Sequence, residues 1–317
     1  MYRPYQVLPK RAPPWSAATC RRFVRARSAP VSAAERLLQS SRSARDQSGD
    51  KSPHSKEAPA TQIGPVGRIK TYLLPSLRMQ ISAELRRLLA EANRVLVLTG
   101  AGVSAESGVP TFRGGGNTTV WKGMPFDVIS SAEMVERDLP AVWDWFDYRR
   151  GFMADIVPNP AHHEIARWQD RFAEFTLVTQ NIDGLHQKAG SRSVIELHGN
   201  IWRARCTVCG SRFDSPVNHR PDACWECGSA LRPDVVLFGE MLPPGAFEFA
   251  ADRALHCELC FVIGTSGLVY PAAGLPELAK AAGAYVCEVN PERTPLSDLC
   301  DEVITGKAGE VLPLLSL

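Results

Sequence analysis

The chain has 317 residues, of which 44% are hydrophobic and 22% charged. This is ordinary for a globular enzyme and excludes a mainly disordered, collagen-like or small disulfide-stapled protein. The formal net charge of +2 combines two unlike regions. Residues 1–78 carry 15 Lys and Arg but only 4 Asp and Glu, whereas residues 79–317 carry 21 and 30.

Residues 1–78 form a basic tail that is rich in Ser, Ala, Pro and Arg. Few of its apolar residues recur at helical or strand spacing, so it buries too little surface to offset its conformational entropy, and we predict disorder. Its acid-poor composition is also typical of an organelle leader, and its arginines are compatible with nucleic-acid or membrane binding. A start codon at Met79, just before the first predicted helix, is the remaining alternative.

No run of about 18 apolar residues occurs, so the sequence predicts no transmembrane span. The chain has nine cysteines but no secretory signal layout, which indicates a reducing compartment. Paired C-x-x-C spacings in such a compartment point to metal or redox chemistry rather than to disulfides.

The body, residues 79–317, alternates apolar runs with helical patterns. Ile81, Leu85, Leu88 and Leu89 share one face of a predicted helix. Runs typical of buried strands follow at 95–98, 175–178, 194–197, 235–238, 259–263, 285–289 and 302–304, with helical patterns between several of them, as at 132–153 and 162–171. This alternation predicts an α/β fold with an open parallel sheet, whose ligands bind at the carboxyl ends of the strands.

A glycine turn follows the first predicted strand. Residues 100–105 have the pattern G-x-G-x-x-A, a variant of the dinucleotide fingerprint in which glycines let a pyrophosphate approach a helix N-terminus. A purely structural tight turn is the alternative. The acidic residue that normally follows at the end of a second strand is missing, because Asp127 lies in no strand-like context. An ordinary dehydrogenase domain is therefore disfavoured.

Two C-x-x-C pairs, 14 residues apart, predict a structural metal site. Four thiolates satisfy tetrahedral zinc and leave no open position for water, so one structural zinc ion is favoured over a catalytic metal or two redox pairs. Its predicted ligands are Cys206, Cys209, Cys224 and Cys227. A third pair, Cys257 and Cys260, has no second pair and adjoins an apolar run, so we predict that it packs in the core.

Polar residues follow two of the predicted strands. Gln180, Asn181 and Asp183 follow one strand, and His198 ends another. An amide pair, a carboxylate and an imidazole are thus expected to converge where an α/β sheet binds its ligand, and His198 can accept a proton at physiological pH. The other histidines have no comparable setting and are interpreted as surface or structural residues; they are His54, His162, His163, His186, His219 and His256.

These motifs together resemble those of the sirtuins, which are NAD-dependent protein lysine deacylases. The resemblance extends from about Ile81 to the C-terminus and rests on residues 100–114, 179–186, 196–199, 232–240, 264–272 and 289–292 and on the four zinc cysteines. It implies a Rossmann-like parallel-sheet domain over residues 79–317, with a small zinc-ribbon module inserted at about 200–232. NAD and an acyl-lysine protein substrate would meet between them, nicotinamide would leave, and O-acyl-ADP-ribose and free lysine would form.

The resemblance also implies roles for individual residues. His198 would be the general base, assisted by Asn181, and Phe112 would keep water from the reactive carbon. The residues that would contact NAD are Gly100, Ala101, Gly102, Glu106, Phe112, Arg113, Gln180, Asn181, Ile182, Asp183, Gly264, Thr265, Ser266, Asn290, Pro291, Glu292 and Ala308. The substrate would add as an extended strand between residues 238–240 and 267–270. Its contacts would be Phe146, Arg149, Val236, Phe238, Gly239 and Glu240.

The acyl group is predicted from one departure from the family pattern. The chain looks closest to the class III, sirtuin-5-like branch, whose desuccinylases carry Tyr-x-x-Arg over the acyl pocket. Here Arg149 is present, but Phe146 replaces the Tyr, and Tyr148 would point elsewhere on a helix. A lost charge-assisted hydrogen bond costs about 1.5 to 3 kcal/mol. We therefore predict deacetylase activity with reduced or absent desuccinylase activity.

Two other functions are compatible with the motifs. A protein mono-ADP-ribosyltransferase would use NAD and break the same bond. A non-enzymatic NAD or zinc-ribbon binding module is the second, although the acidic body argues against nucleic acid. Similarity to compact bacterial members favours the cytoplasm, with the mitochondrial matrix as the alternative if the basic tail is a leader. No membrane partner is predicted.

Overall fold

A computed structural model describes residues 81–111, 120–216 and 220–315. The basic tail with its predicted disorder, the predicted NAD contacts Phe112 and Arg113, and His54 and His219 lie outside the described residues. Among the described helices, none combines the length and apolarity needed to cross a bilayer.

The described residues form eleven strands: β1 Arg94–Thr99, β2 Val120–Trp121, β3 Met124–Pro125, β4 Glu174–Thr179, β5 Val194–Glu196, β6 Gly199–Cys206, β7 Arg212–Asp214, β8 Leu231–Val235, β9 Leu259–Ile263, β10 Tyr285–Asn290 and β11 Glu302–Thr305. Six of them make one parallel sheet in the order β11, β10, β9, β1, β4, β5. This confirms the predicted α/β fold with a Rossmann-like parallel sheet. Thr99 at the end of β1 is paired with Thr179 on β4 and Ile263 on β9, so the carboxyl ends of these strands lie level.

Ten α-helices occur in the same residues: α1 Ala83–Glu91, α2 Gly102–Ala105, α3 Phe126–Ile129, α4 Ala132–Arg137, α5 Leu139–Met153, α6 Pro160–Arg171, α7 Leu185–Lys188, α8 Ala246–His256, α9 Gly274–Ala281 and α10 Ala308–Val311, followed by a 3-10 turn at Leu312–Leu315. The helical pattern at 132–153 is divided into α4 and α5. Asp138 causes the division, because its side chain accepts a hydrogen bond from the N–H of Ala141 and caps α5, whose second residue is a proline.

Both faces of the parallel sheet are covered, as its unbroken apolar strands predict. Val95 and Val97 of β1 pack on one side with α1, α6 and α10. Leu96 and Leu98 point to the other side and pack with α8 and α9. Cys257 and Cys260 lie buried in this second core, as predicted. The alternating side chains of one strand thus hold helices on both sides, and the free edge for a ligand is at the carboxyl ends.

A second sheet is antiparallel and has the order β7, β6, β8. Its apolar face, formed by Ala204, Cys206, Phe213 and Leu231, packs against Trp143 of α5. The sequence pattern predicted a buried strand at 235–238, but this run does not belong to the parallel sheet. Its first residue ends β8, and Phe238 makes a single bridge to Ser131.

Candidate active site

The glycine turn after β1 touches the turn after β9. A Cβ on Gly100 would lie 2.8 Å from the carbonyl oxygen of Gly264, and a Cβ on Gly102 would lie 2.7 Å from the Cα of Gly264. Gly264 itself has φ 59°, and its Cβ would lie 2.4 Å from the backbone nitrogen of Val103. Only glycines allow these two turns to meet. The close contact leaves a side-chain-free surface at the carboxyl ends of β1 and β9, which fits the backbone approach of a dinucleotide.

Glu106 and Ala308, both predicted NAD contacts, lie next to each other. The Glu106 carboxylate accepts a hydrogen bond of 2.7 Å from the backbone N–H of Gly309 at the start of α10, and Ala308 is buried. Glu106 therefore fastens the end of the chain to the segment that follows α2.

The amide pair after β4 is held by the two glycine turns. Gln180 donates through Nε2 to the Thr265 hydroxyl at 3.0 Å. Asn181 donates through Nδ2 to the carbonyl of Gly100 at 3.1 Å and to the Ser104 hydroxyl at 3.2 Å. The predicted convergence of these residues at the sheet edge is therefore present. Ile182 follows them, half-buried, in the same loop.

Asp183 is buried beside the amide pair. It accepts hydrogen bonds from the Ser104 hydroxyl at 2.8 Å and from the N–H of Leu185 at 2.9 Å. Burial raises its pKa, whereas these two hydrogen bonds and the charge of Arg149 act in the opposite direction. Ser104, on α2, thus links Asn181 with Asp183. Its position inside the fingerprint gave no sign of this role, because the pattern specifies only small residues nearby.

Two histidines that the sequence left as surface or structural residues are buried below the site. His162 contacts the Ser104 hydroxyl at 3.2 Å, and His186 contacts the Thr99 hydroxyl at 3.0 Å. Burial lowers the pKa of His162 to about 4 and that of His186 to about 3, so both rings are neutral at pH 7. Thr99 in turn donates to Thr179 at 2.8 Å. The closeness of His186 to the amide motif was the available signal.

His198 stands between β5 and β6, facing the amide pair. Its Nδ1 lies 2.8 Å from the carbonyl oxygen of Gln180. A carbonyl oxygen only accepts, so Nδ1 carries the proton and Nε2 keeps its lone pair in the neutral ring. Burial lowers the pKa of His198, and the bond to Gln180 opposes this in part. The sharp turn after His198 requires glycine, since Gly199 has φ 77° and its Cβ would lie 2.1 Å from the Asp234 carbonyl oxygen.

The remaining predicted NAD contacts lie around the ends of β9 and β10. Asn290 donates through Nδ2 to the carbonyl of Thr265 at 3.2 Å. Ser266 is half-buried next to it, and Pro291 and Glu292 are exposed directly after β10. These residues extend the open edge from the centre of the sheet towards β10. An open edge that crosses several strand ends is where α/β sheets bind dinucleotides.

The predicted substrate segment is paired with the turn before α4. Phe238 exchanges backbone hydrogen bonds of 2.9 Å with Ser130 and Ala132, and its side chain is 52% exposed. Gly239 follows with φ 87°. Val236 donates its N–H to the carbonyl of His198 at 2.9 Å, which joins this segment to the loop that carries His198.

The Glu240 side chain is held by contacts within its own segment of the chain. It forms an ion pair with the buried Arg232, and its other carboxylate oxygen accepts the N–H of Leu237 at 2.8 Å. The carboxylate is thus engaged in shaping the loop after β8, and its effect on a substrate would pass through the position of Phe238.

Phe146 and Arg149 lie one turn apart on α5. Phe146 is buried and Arg149 is half-buried, and the Arg149 guanidinium stacks over the rings of Trp145 and Phe146, at 5.6 and 6.0 Å. Burial lowers the pKa of Arg149 to about 10, so it remains a cation at pH 7, and Asp183 supplies a nearby negative charge. This side of α5, where the acyl contacts are predicted, therefore presents a cation on aromatic rings.

The two C-x-x-C pairs come together at the tip of the antiparallel sheet. All four sulfur atoms lie within 4.8 Å of one another, and the distances between Cys206 and Cys227 and between Cys209 and Cys224 are 3.5 Å. A tetrahedral zinc with Zn–S bonds of about 2.3 Å places its sulfurs about 3.8 Å apart. The four thiols therefore fit one structural zinc ion.

Comparisons with known proteins agree with this geometry. The Sir2 family model matches residues 100–271. "NAD-dependent protein deacylase 2" of Pyrobaculum aerophilum is 48% identical over 230 residues, which cover 72% of this chain and 92% of that protein.

Two solved structures extend the likeness to three dimensions. A Sir2 homologue–NAD complex has a TM-score of 0.68 and 40% identity, covering 74% of this chain and 93% of the other. A complex of Sir2 with the inhibitor EX-527, 2′-O-acetyl-ADP-ribose and a deacetylated p53 peptide has a TM-score of 0.62 and 31% identity, covering 73% and 95%. With more than half of its residues inside the family model, the chain belongs to the Sir2 family.

Proposed function

We propose that the protein is an NAD-dependent protein lysine deacylase, which releases nicotinamide and O-acyl-ADP-ribose. The observation that carries the proposal is His198, whose neutral ring is anchored by the Gln180 carbonyl and keeps Nε2 free to accept a proton. A relative named as a deacylase and structures holding NAD and a deacetylated peptide support it.

The residues at the strand ends would divide the work. NAD, when bound, supplies the ribose carbon to which the acyl oxygen becomes attached and nicotinamide as the leaving group. Asn181 and Asp183, fixed through Ser104, would orient the nicotinamide end. His198 would take a proton from a ribose hydroxyl through Nε2, and the burial around it would limit access of competing water.

The substrate would be an acyl-lysine in an extended protein segment. Phe238 already uses its backbone towards Ser130 and Ala132, so the substrate would lie along the opposite edge of residues 238–240. Main-chain bonding of this kind gives affinity with little demand on the substrate sequence. We extend this to the domain organisation: residues 79–317 form the catalytic domain, and residues of about 200–232 form its zinc module.

The acyl preference proposed for this site is acetyl over succinyl. Arg149 would attract a carboxylate, but Phe146 is apolar and buried where the family's desuccinylases carry a hydroxyl. The carboxylate of a succinyl group would be attracted by the charge of Arg149 but would receive no hydrogen bond from residue 146.

The deciding experiment replaces the base. His198→Tyr is expected to lower kcat on an acetyl-lysine peptide by about a hundredfold or more, because general-base catalysis contributes that much. Mass spectrometry of deacylated peptide and O-acyl-ADP-ribose measures the loss. His163→Tyr, an exposed histidine on α6, is the matched control and should retain activity. Full activity of His198→Tyr, or labelled ADP-ribose found on protein instead of in solution, would refute the proposal.

The pH dependence of kcat/KM provides a second test of His198. Because burial lowers the pKa of His198 below 6.5, the wild-type kcat/KM should keep more than half of its plateau value at pH 6.5 and reach its midpoint in more acid solution. A midpoint of the acid limb above 6.5 would contradict the burial of this base.

For location we propose the cytoplasm, with the mitochondrial matrix as the competing site. Four of the eight cysteines among the described residues gather as one metal site, and metal-binding cysteines are typical of a reducing compartment. Sequencing the mature N-terminus in cells decides between the two. Cleavage within the basic tail would favour import, and a terminus at Met1 or Met79 would favour the cytoplasm.

A further inference from the structure

Two faces of helix α5 contact different parts of the molecule. Phe146 and Arg149 belong to the acyl side described above. Consecutive residues of a helix are about 100° apart, so Arg150 addresses a different neighbour from Arg149. Trp143 and Arg150 lie about two turns apart on α5, and both contact the antiparallel sheet of the zinc module.

Trp143 is the larger of these contacts. Its ring is 4% exposed and belongs to one apolar cluster with the zinc-ligand residues Cys206 and Cys224. Its Nε1 donates a buried hydrogen bond of 2.7 Å to the carbonyl of Leu231, the first residue of β8. The ring therefore packs directly behind two of the four thiols and bonds to the strand that follows them.

Arg150 makes the second connection. It is 2% exposed, and its Nε donates to the carbonyl of Ile201 on β6 at 2.8 Å. Its Nη1 donates to the Ser215 hydroxyl after β7 at 3.0 Å, and the guanidinium lies 4.9 Å from the Trp143 ring. The two side chains thus bond α5 to β6, β8 and the end of β7.

We infer that Trp143 and Arg150 are positioning residues, which couple zinc binding by the four cysteines to the position of the acyl-contacting residues Phe146 and Arg149. The proposal rests on the proposed deacylase function for its acyl part only. The zinc part concerns the free protein and is independent of any substrate.

The coupling follows from the small size of the module. A three-stranded sheet with a strand as short as β7 has little core of its own, so its order depends on the metal and on Trp143. When two equilibria are coupled through the same helix, each changes the free energy of the other by the same amount. Zinc should therefore hold α5 in place, and the side chains of α5 should retain zinc.

The first test measures zinc release into a colorimetric chelator from purified, zinc-loaded protein. Trp143→Phe loses the bond to Leu231 and should release zinc about fivefold faster, and Trp143→Ala at least about tenfold faster. Arg150→Met should resemble Trp143→Phe. Trp168→Phe is the matched control, because Trp168 is a fully buried tryptophan in the parallel-sheet core, away from the zinc module. It should lower the unfolding midpoint and leave the zinc release rate unchanged.

The second test measures acyl selectivity in the same proteins. The ratio of kcat/KM for butyryl-lysine over acetyl-lysine peptides should change by about fivefold in Trp143→Phe and Arg150→Met, mainly through KM, because a shift of α5 alters the acyl wall. Phe152→Ala, an exposed residue of the same helix, should leave the ratio unchanged.

Equal zinc release from Trp143→Ala and Trp168→Phe would overturn the coupling, as would faster zinc release with an unaltered acyl ratio. A wild-type protein inactive on every acyl peptide would instead refute the deacylase function. The zinc measurement would then decide the coupling alone.

Discussion

The parallel sheet and the zinc module position their functional residues by different means. In the parallel sheet, glycine turns meet at distances that admit no side chain, and hydrogen bonds through the Ser104 hydroxyl join Asn181 and Asp183. In the zinc module, thiols gather around one point and Asp234 pairs with Arg203 and Arg212 at 3.0 Å. One region is shaped by its own backbone and core, and the other by charged groups and a metal.

This difference indicates where each region is vulnerable. A site built on close backbone contacts tolerates removal of a ligand but not addition of a carbon atom. A module with little core tolerates surface change but not loss of its ion. The comparison would fail if the glycine turns accepted an added carbon atom or if the zinc module stayed folded without its ion.

The largest effect is expected from Cys206→Ser. Structural zinc contributes about 10 kcal/mol in small zinc domains, so its loss should unfold β6 to β8 locally. Metal analysis should find no zinc, and hydrogen exchange should show lost protection in these strands but not in β1, β4 and β9. Cys300→Ser, outside the cluster, should retain one zinc ion. A zinc-free Cys206→Ser protein with normal protection would show that the module is held by packing alone.

Gly264→Ala tests the opposite region. The added carbon would collide with the backbone of Val103 and place alanine at φ 59°, which together should cost about 3 kcal/mol of unfolding free energy. Urea denaturation measures the shift. Gly274→Ala is the control, because a carbon there meets no atom within 4 Å. Similar midpoints for the two variants would mean that the glycine turns adjust freely.

Phe146→Tyr sharpens the comparison at α5, which both regions contact. A restored hydroxyl should raise the succinyl-to-acetyl ratio of kcat/KM about tenfold, since a hydrogen bond to a charged group is worth about 1.5 to 3 kcal/mol. Phe152→Tyr adds the same hydroxyl on the exposed side and should have no effect. An unchanged ratio in Phe146→Tyr would remove Phe146 from the determinants of acyl preference.

The smallest effect is a slope with pH. The pKa values of His162 and His186, about 4 and 3 in the folded state, lie below the usual 6.5, so the unfolded chain binds more protons in acid. Unfolding free energy should therefore fall as the pH drops from 6.5 towards 4, because protons that bind only the unfolded chain favour unfolding. Urea midpoints at pH 7, 6 and 5 measure it, and His186→Gln should reduce the slope. A flat wild-type profile would contradict two neutral buried rings.

The parallel sheet was predictable because its strands are buried on both faces and read as unbroken apolar runs. The run at 235–238 misled for the same reason: Val235 and Leu237 are apolar because they are buried against α5, and periodicity does not distinguish that environment from a sheet interior. The cysteine spacing was sufficient for the zinc site. The role of Ser104 was not predictable, since its partners Asp183 and His162 are far away in sequence and meet it only through the packing of α6 against β1 and β4.

The position of β9 between β1 and β10 determines when the site can form. Gln180 and His198 are only 18 residues apart and can meet early, whereas the turn at Gly264 reaches Gly100 only after a strand from 164 residues downstream has been inserted. Closing such long loops makes folding slow. During synthesis, a chain ending before β9 would hold the base and the zinc ligands but only half of the dinucleotide surface.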